Sequence, residues 1–226
     1  MKYAFGVDIG GTTVKLGLFD EQGGLIEKWE IPTDKTDSGA NIISDITGSI
    51  MTKASENNIS VDEIAGIGVG APGAVDDEGI LVGGAVNIGW KPFNIPEAFR
   101  AYIDVPVVAA NDANAAAYGE MWQGGGKGYS SMVAVTLGTG VGGGIVVNGK
   151  LLTGATGAGG EIGHIHLEDA ETDICGCGNR GCLEQYASAT GIVRLAKRRL
   201  EKDDMPSVLR SGELTAKAVF DAVKSS

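Results

Sequence analysis

Two stretches of this chain repeat one pattern, and it narrows the folds open to the sequence. In YAFGVDIGGTTVKLGLFD (3–20) two apolar strands meet at Gly10-Gly11, a hairpin signal. SSMVAVTLGTGVGGGIVVNGKLL (130–152) follows the same order of strand, glycine-rich turn, strand. The repeat is weak, but it points to two related lobes with a cleft between them. Of the chain's 37 glycines, 22 are grouped in DIGGTT, GVGAPGAV, LVGGAVNIGW, WQGGGKG, LGTGVGGG and TGATGAGGEIG. Each group falls where backbone must turn sharply or approach something closely.

Between these stretches the pattern is α/β. GLIEKWEIP reads as a third strand, and Ile42, Ile43, Ile46, Ile50 and Ala54 fall near one face of a helix within 38–57. IAGIGVGAPG follows as a fully buried strand, NIPEAFRAYI as a helix and VPVVAAND as a strand, giving a βββαβ order with a further helix. The first lobe is expected to span 1–112 and the second 113–226. The second opens on the helix ANAAAYGEMW and closes on two helices, EQYASATGIVRLAKRRLEK and LTAKAVFDAVKSS.

Composition excludes several partners. A net charge of -11 repels phosphate backbones, so no nucleic acid is expected. The sequence has no apolar run of ~18 residues, so no membrane span is expected. Three cysteines and a start without a leader-like apolar segment point to the cytoplasm.

DIGGTTVK suits an anion. Gly10 and Gly11 clear the turn of side chains, amides near Thr12 and Thr13 can point at a phosphate, and their hydroxyls add donors. Asp8 is placed to hold a water-shelled Mg²⁺, and Lys15 could add a point charge. Gly138, Thr139 and Gly140 in LGTGVGGG repeat this logic, and neither turn is a Walker loop or a dinucleotide fingerprint. Two such turns could clamp a triphosphate. Asp112 ends a strand and begins a helix. It reads either as an N-cap or as a base that accepts the proton of an acceptor hydroxyl during phosphoryl transfer.

All three cysteines lie in CGCGNRGC (175–182), and both histidines, His164 and His166, lie just upstream. His164, Cys175, Cys177 and Cys182 form a Cys₃His set, which is the ligand complement of structural zinc. The glycines between them let the chain wrap tightly. Glu161 and Glu184 flank the knot, and carboxylates beside a histidine suit a ligand with several hydroxyls. His166 is left with a structural role.

The segments DIGGTTVKLGLFD, GAPGAVD, NIGW, NDANAAAYGE, LGTGVGGGIVVNGKL, GAGGEIGHI and CGCGNRGCLEQYAS, in that order, resemble the ROK family of repressors and sugar kinases, in particular its bacterial glucokinases. The resemblance implies an actin-like, ribonuclease-H-like two-lobed fold and ATP- and Mg²⁺-dependent phosphorylation of a hexose 6-hydroxyl, with glucose first and N-acetylmannosamine or fructose next. A sugar-binding protein without activity is the alternative. It implies Asp112 as catalytic base and Asn87, Asn111, Asp112, Glu161, His164 and Glu184 as sugar ligands. His164 would then place one ring nitrogen on zinc and the other towards sugar. A role in glycolysis and a homodimer follow as family expectations. Members of the family run on past the point matching Ser226, so the second lobe is expected to be incomplete on its adenosine side. The repressors place a DNA-binding segment ahead of the first phosphate turn, and Asp8 comes too early for one.

Overall fold

The computed structural model describes residues 1–224. Strands β1 (Tyr3–Ile9), β2 (Thr13–Asp20) and β3 (Leu25–Pro32) form an antiparallel meander. Helix α1 (Ile42–Glu56) follows, and β4 (Ile64–Ala71) then pairs parallel with β1. A short hairpin of β5 (Ile80–Leu81) and β6 (Phe93–Asn94) precedes α2 (Ile95–Arg100), and β7 (Val107–Asn111) pairs parallel with β4. The resulting five-stranded sheet has the order β3-β2-β1-β4-β7.

Period-two alternation drives this sheet. Phe5, Val7 and Ile9 of β1 and Val14, Leu16 and Leu18 of β2 are buried, so both strands give one face to the core. Ile42, Ile43, Ile46, Ile50 and Ala54 of α1 are buried too, which is the stripe the helical spacing marks. β4 departs from expectation, because Ala65 and Gly68 are exposed. Only its end, Val69–Ala71, is buried throughout, where α3 (Asp112–Gln123) packs on it. A Cβ on Gly70 would stand 3.5 Å from the Asp112 Cα and 3.6 Å from the Ala115 Cβ, so small residues let α3 lie close.

The remaining strands are β8 (Met132–Leu137), β9 (Val141–Val147) and β10 (Lys150–Leu151), in a sheet of order β10-β9-β8. The chain divides into two compact units: Met1–Met132 with Ile145–Gly160, and Val133–Gly144 with the residues from Glu161 onward. This differs from a break at Asp112. Helix α3 belongs with β4 and β7, and the chain leaves the first unit, returns to it, and leaves again.

In the second unit, the helix expected over 184–202 is two helices, α4 (Glu184–Ala187) and α5 (Ala189–Leu200). Ser188 breaks them with extended backbone at ψ 162° and caps α5, its Oγ accepting from Gly191 N–H at 2.9 Å. Helix α6 (Ala216–Lys224) follows, and the last two residues of that expected helix lie outside the described residues. Val133, Val135 and Leu137 of β8 are exposed.

A buried carboxylate staples this unit. Glu171 accepts from Arg194 and Arg198, from the Tyr186 hydroxyl at 2.8 Å, and from the N–H groups of Thr172 and Asp173. The two guanidiniums first, and these N–H and O–H groups with them, hold its pKa well below the usual carboxylate range. A depressed folded-state pKa gives stability that is present above the unfolded value and is lost as pH falls through the folded one. Glu171→Gln is expected to cost about 2–3 kcal/mol at pH 7. In denaturant titrations followed at α5, the gap to wild type should narrow below about pH 4. A gap constant down to pH 2 would contradict the staple.

Candidate active site and metal centre

In the first unit Asp8 lies near the carboxyl end of β1, and Asn111 and Asp112 lie at that of β7, with β4 between the two strands. Asp8 and Lys15 are register partners across the β1–β2 hairpin, with Nζ 3.7 Å from Oδ2. Both side chains are largely exposed, so this pair is open to exchange with a ligand. The turn between the strands is closed by Gly10 N–H donating to Thr13 O at 3.1 Å. A Cβ on Gly10 would stand 2.7 Å from that same oxygen, so no other residue fits without moving the turn. Thr33, at the end of β3, fastens the turn from its carbonyl side. Its N–H donates to Thr12 O at 3.0 Å and its hydroxyl to Gly10 O at 2.7 Å. Thr33 is buried, and nothing in the sequence around it marks the role.

Asn87 is exposed in the 3-10 turn Val86–Ile88, and its Nδ2 lies 3.5 Å from where a Cβ on Gly11 would stand. The structure thus brings Asn87 to the first glycine turn, although 75 residues lie between Gly11 and Asn87 in sequence.

The helix cap falls to Asn111 and not to Asp112. The Asn111 Oδ1 accepts from Ala113 N–H at 3.0 Å and Asn114 N–H at 3.1 Å, while its Nδ2 donates to Gly73 O at 3.0 Å. Asn111 is buried and committed to the fold, and its side chain also hydrogen-bonds the Asp112 carboxylate. Asp112 is the first residue of α3 and remains exposed, its Oδ1 accepting from Ala113 N–H at 2.7 Å. Desolvation by the protein around it raises its pKa, and the charge of Asp8 adds to that rise.

In the second unit the four ligand candidates meet. One donor atom from each of His164, Cys175, Cys177 and Cys182 lies within 4.8 Å of all the others. The Cys175 Sγ is 3.7 Å from the His164 Nδ1, and Cys177 and Cys182 bring their sulfurs to 3.6 Å. A disulfide needs ~2.05 Å, so these thiols are free. A tetrahedral ion with bonds of about 2.3 Å to sulfur sets its ligands about 3.8 Å apart, close to these two separations, and the whole set lies within 4.8 Å. Burial, and then the neighbouring thiols, push Cys182 up to about 12, a cost that a dication bound to thiolates reverses.

The backbone explains why the knot closes. Cys175 N–H donates to Asn179 O at 2.7 Å, Gly178 at φ 90° turns the chain, and Ile174 bridges to Arg180. Gln185, buried, accepts from Cys182 N–H at 3.1 Å and donates to Asp173 O at 3.1 Å. The exposed His166 has a structural setting: Nδ1 is 3.0 Å from Arg180 O, and Nε2 is 2.7 Å from Asp169.

The His164 ring faces two ways. Its Nδ1 is on the sulfur side, and its Nε2 lies 3.8 Å from Glu161 Oε2. Glu184 also joins two features. Its Oε1 is 3.8 Å from Cys175 Sγ, and its Oε2 accepts from Val141 N–H at 3.0 Å. A Cβ on Gly140 would press on that Oε2, so a larger residue there would displace the carboxylate. The turn Gly138, Thr139, Gly140 therefore packs directly against Glu184.

A sequence model of the ROK family matches residues 4–226. A glucokinase of Halalkalibacterium halodurans is 43% identical over all of this chain, which spans 69% of that protein's length. A glucokinase of Streptomyces coelicolor is 42% identical over 88% of this chain and 60% of its own length. Among solved structures, a ROK family glucokinase from Streptomyces griseus, in complex with glucose and AMPPNP, matches with a TM-score of 0.73 at 35% identity. That match covers 99% of this chain and 71% of the other.

Proposed function

Since the chain belongs to the ROK family and has the actin-like ATPase fold of its sugar kinases, we propose that it transfers the γ-phosphoryl group of ATP to the 6-hydroxyl of glucose. The observation that carries this reading is Asp112, released from capping by Asn111 and left exposed at the end of β7 with a raised pKa. A base so placed takes the O6 proton as the O6–P bond forms and the bond to ADP breaks. Its carboxylate needs no strong basicity, because the hydroxyl acidifies as it bonds to phosphorus.

Within the first unit, Gly10, Gly11, Thr12 and Thr13 offer the phosphates N–H and O–H donors, with Lys15 as a point charge. Asp8 is an exposed hard oxygen donor that suits Mg²⁺, which keeps several waters; bound there, Mg²⁺ would supply positive charge to the phosphate oxygens. Asn87 and Asn111 are offered to sugar hydroxyls. Within the second unit, Gly138, Thr139 and Gly140 serve phosphate, and Glu161, His164 and Glu184 serve the hexose. His164, Cys175, Cys177 and Cys182 would hold a structural zinc, whose contribution is to fix the ring of His164 so that Nε2 faces Glu161.

Among the described residues no helix is long and apolar enough to cross a membrane. The family resemblance supports the cytoplasm as location, glycolysis as setting and a homodimer as working form. A coupled assay of ADP release over ATP with glucose, fructose and N-acetylmannosamine tests the function. The highest kcat/KM is expected with glucose; no ADP release with any hexose would contradict it.

A further inference from the structure

The Gly138–Gly140 turn is held by the break between α4 and α5. Gly138 N–H donates to Gly140 O at 3.0 Å, which closes the turn on itself. Ala189 N–H donates to Gly138 O at 2.9 Å, and the Thr190 hydroxyl donates to Thr139 O at 2.7 Å. Two successive carbonyls of the turn thus point at the first residues of α5.

A trans peptide plane sets its C=O and the following N–H on opposite sides. Fixing Gly138 C=O therefore aims Thr139 N–H away from α5, and fixing Thr139 C=O aims Gly140 N–H the same way. Two consecutive N–H groups turned to one side make the concavity that receives an anionic oxygen. The first of these ties uses backbone alone. The second depends on one hydroxyl, and that hydroxyl is itself placed by Ser188, whose Oγ lies 3.0 Å from the Thr190 Oγ1 and donates to Glu184 O at 2.6 Å.

We propose that Thr190 is a positioning residue for the phosphate-binding turn: its hydroxyl holds Thr139 C=O so that Gly140 N–H faces a nucleoside polyphosphate. The inference rests on the kinase reading and adds to it a residue that touches no substrate. Ser188 and Thr190 link the turn to the helix that follows the cysteine knot, so the knot and the turn are parts of one framework.

The test compares Thr190→Val, which keeps the shape and removes the donor, with Thr190→Ser, which restores it. Thr190→Val is expected to raise KM for ATP roughly tenfold, the size of one lost hydrogen bond, and to leave KM for glucose within about twofold. Thr190→Ser should return KM for ATP to near the wild-type value. Calorimetric titration with ADP reads the same effect without turnover. Unchanged ATP and ADP parameters in Thr190→Val overturn the proposal, and so does an equal loss for sugar and nucleotide accompanied by a lower Tm. Should the wild-type chain bind ADP yet phosphorylate no hexose, the kinase reading fails by itself. Weaker ADP binding by Thr190→Val than by Thr190→Ser then still supports the positioning role, and equal binding overturns it.

Discussion

Asp112→Asn is expected to keep glucose affinity and to lower turnover at least ~10²-fold, the smaller end for loss of a general base. The substitution is clean because Asn111, not Asp112, caps α3, so the helix start survives. Asparagine keeps an oxygen for the bond that Asp112 makes to Ala113 N–H, but it takes no proton. The pH profile gives a second reading. Only the carboxylate accepts the O6 proton, so the rate is present above the Asp112 pKa and falls as pH drops through it. Desolvation and the charge of Asp8 raise that pKa, so the acid limb should lie above the ordinary aspartate range. An Asp112→Asn enzyme with wild-type turnover would remove Asp112 from the chemistry.

Loss of the cation is the second large effect. Elemental analysis should find one zinc per chain, and Cys182→Ser should abolish it. Cys182 is buried at the centre of the knot, and its N–H is bonded to Gln185, which also holds Asp173. Without the cation, the two sulfurs 3.6 Å apart and the ring nitrogen 3.7 Å from a third keep only weak thiol contacts and the backbone bonds of the loop. Binding of a structural zinc is folding free energy, so the second unit should lose several kcal/mol. The His164 ring is then free to rotate, and Nε2 no longer keeps its place beside Glu161. Glucose affinity should fall at least tenfold, about 1.4 kcal/mol. A metal-free protein with normal glucose affinity would separate the knot from the sugar.

Much of this was legible because the signals are local. The β1–β2 hairpin, the stripe of α1 and the Cys₃His set each lie within one short stretch; the first two appear as expected, and the four side chains of the third converge. The actin-like α/β fold followed from motif order across the chain, not from any one element. Long-range backbone contacts stayed hidden. Thr33 holds the first turn from the far end of β3, and Thr190 reaches Thr139 over 51 positions; a lone threonine carries no mark of either. The break at Ser188 was missed because apolar spacing continues through it, and only the extended backbone of Ser188 shows the cap. Asn111 and Asp112 are adjacent and both cap helices well, so spacing alone could not divide their roles. The compact units differ from a division at Asp112 because the chain enters the first unit twice, which no linear scan displays.

Phosphorus NMR of the chain mixed with ATP, Mg²⁺ and glucose addresses the main conclusion most directly. Wild-type protein should build up a phosphate ester on the C6 oxygen as ADP forms, with 6-deoxyglucose left untouched and Asp112→Asn producing almost none in the same time. No sugar ester from the wild-type chain, or equal amounts from both proteins, would contradict the assignment.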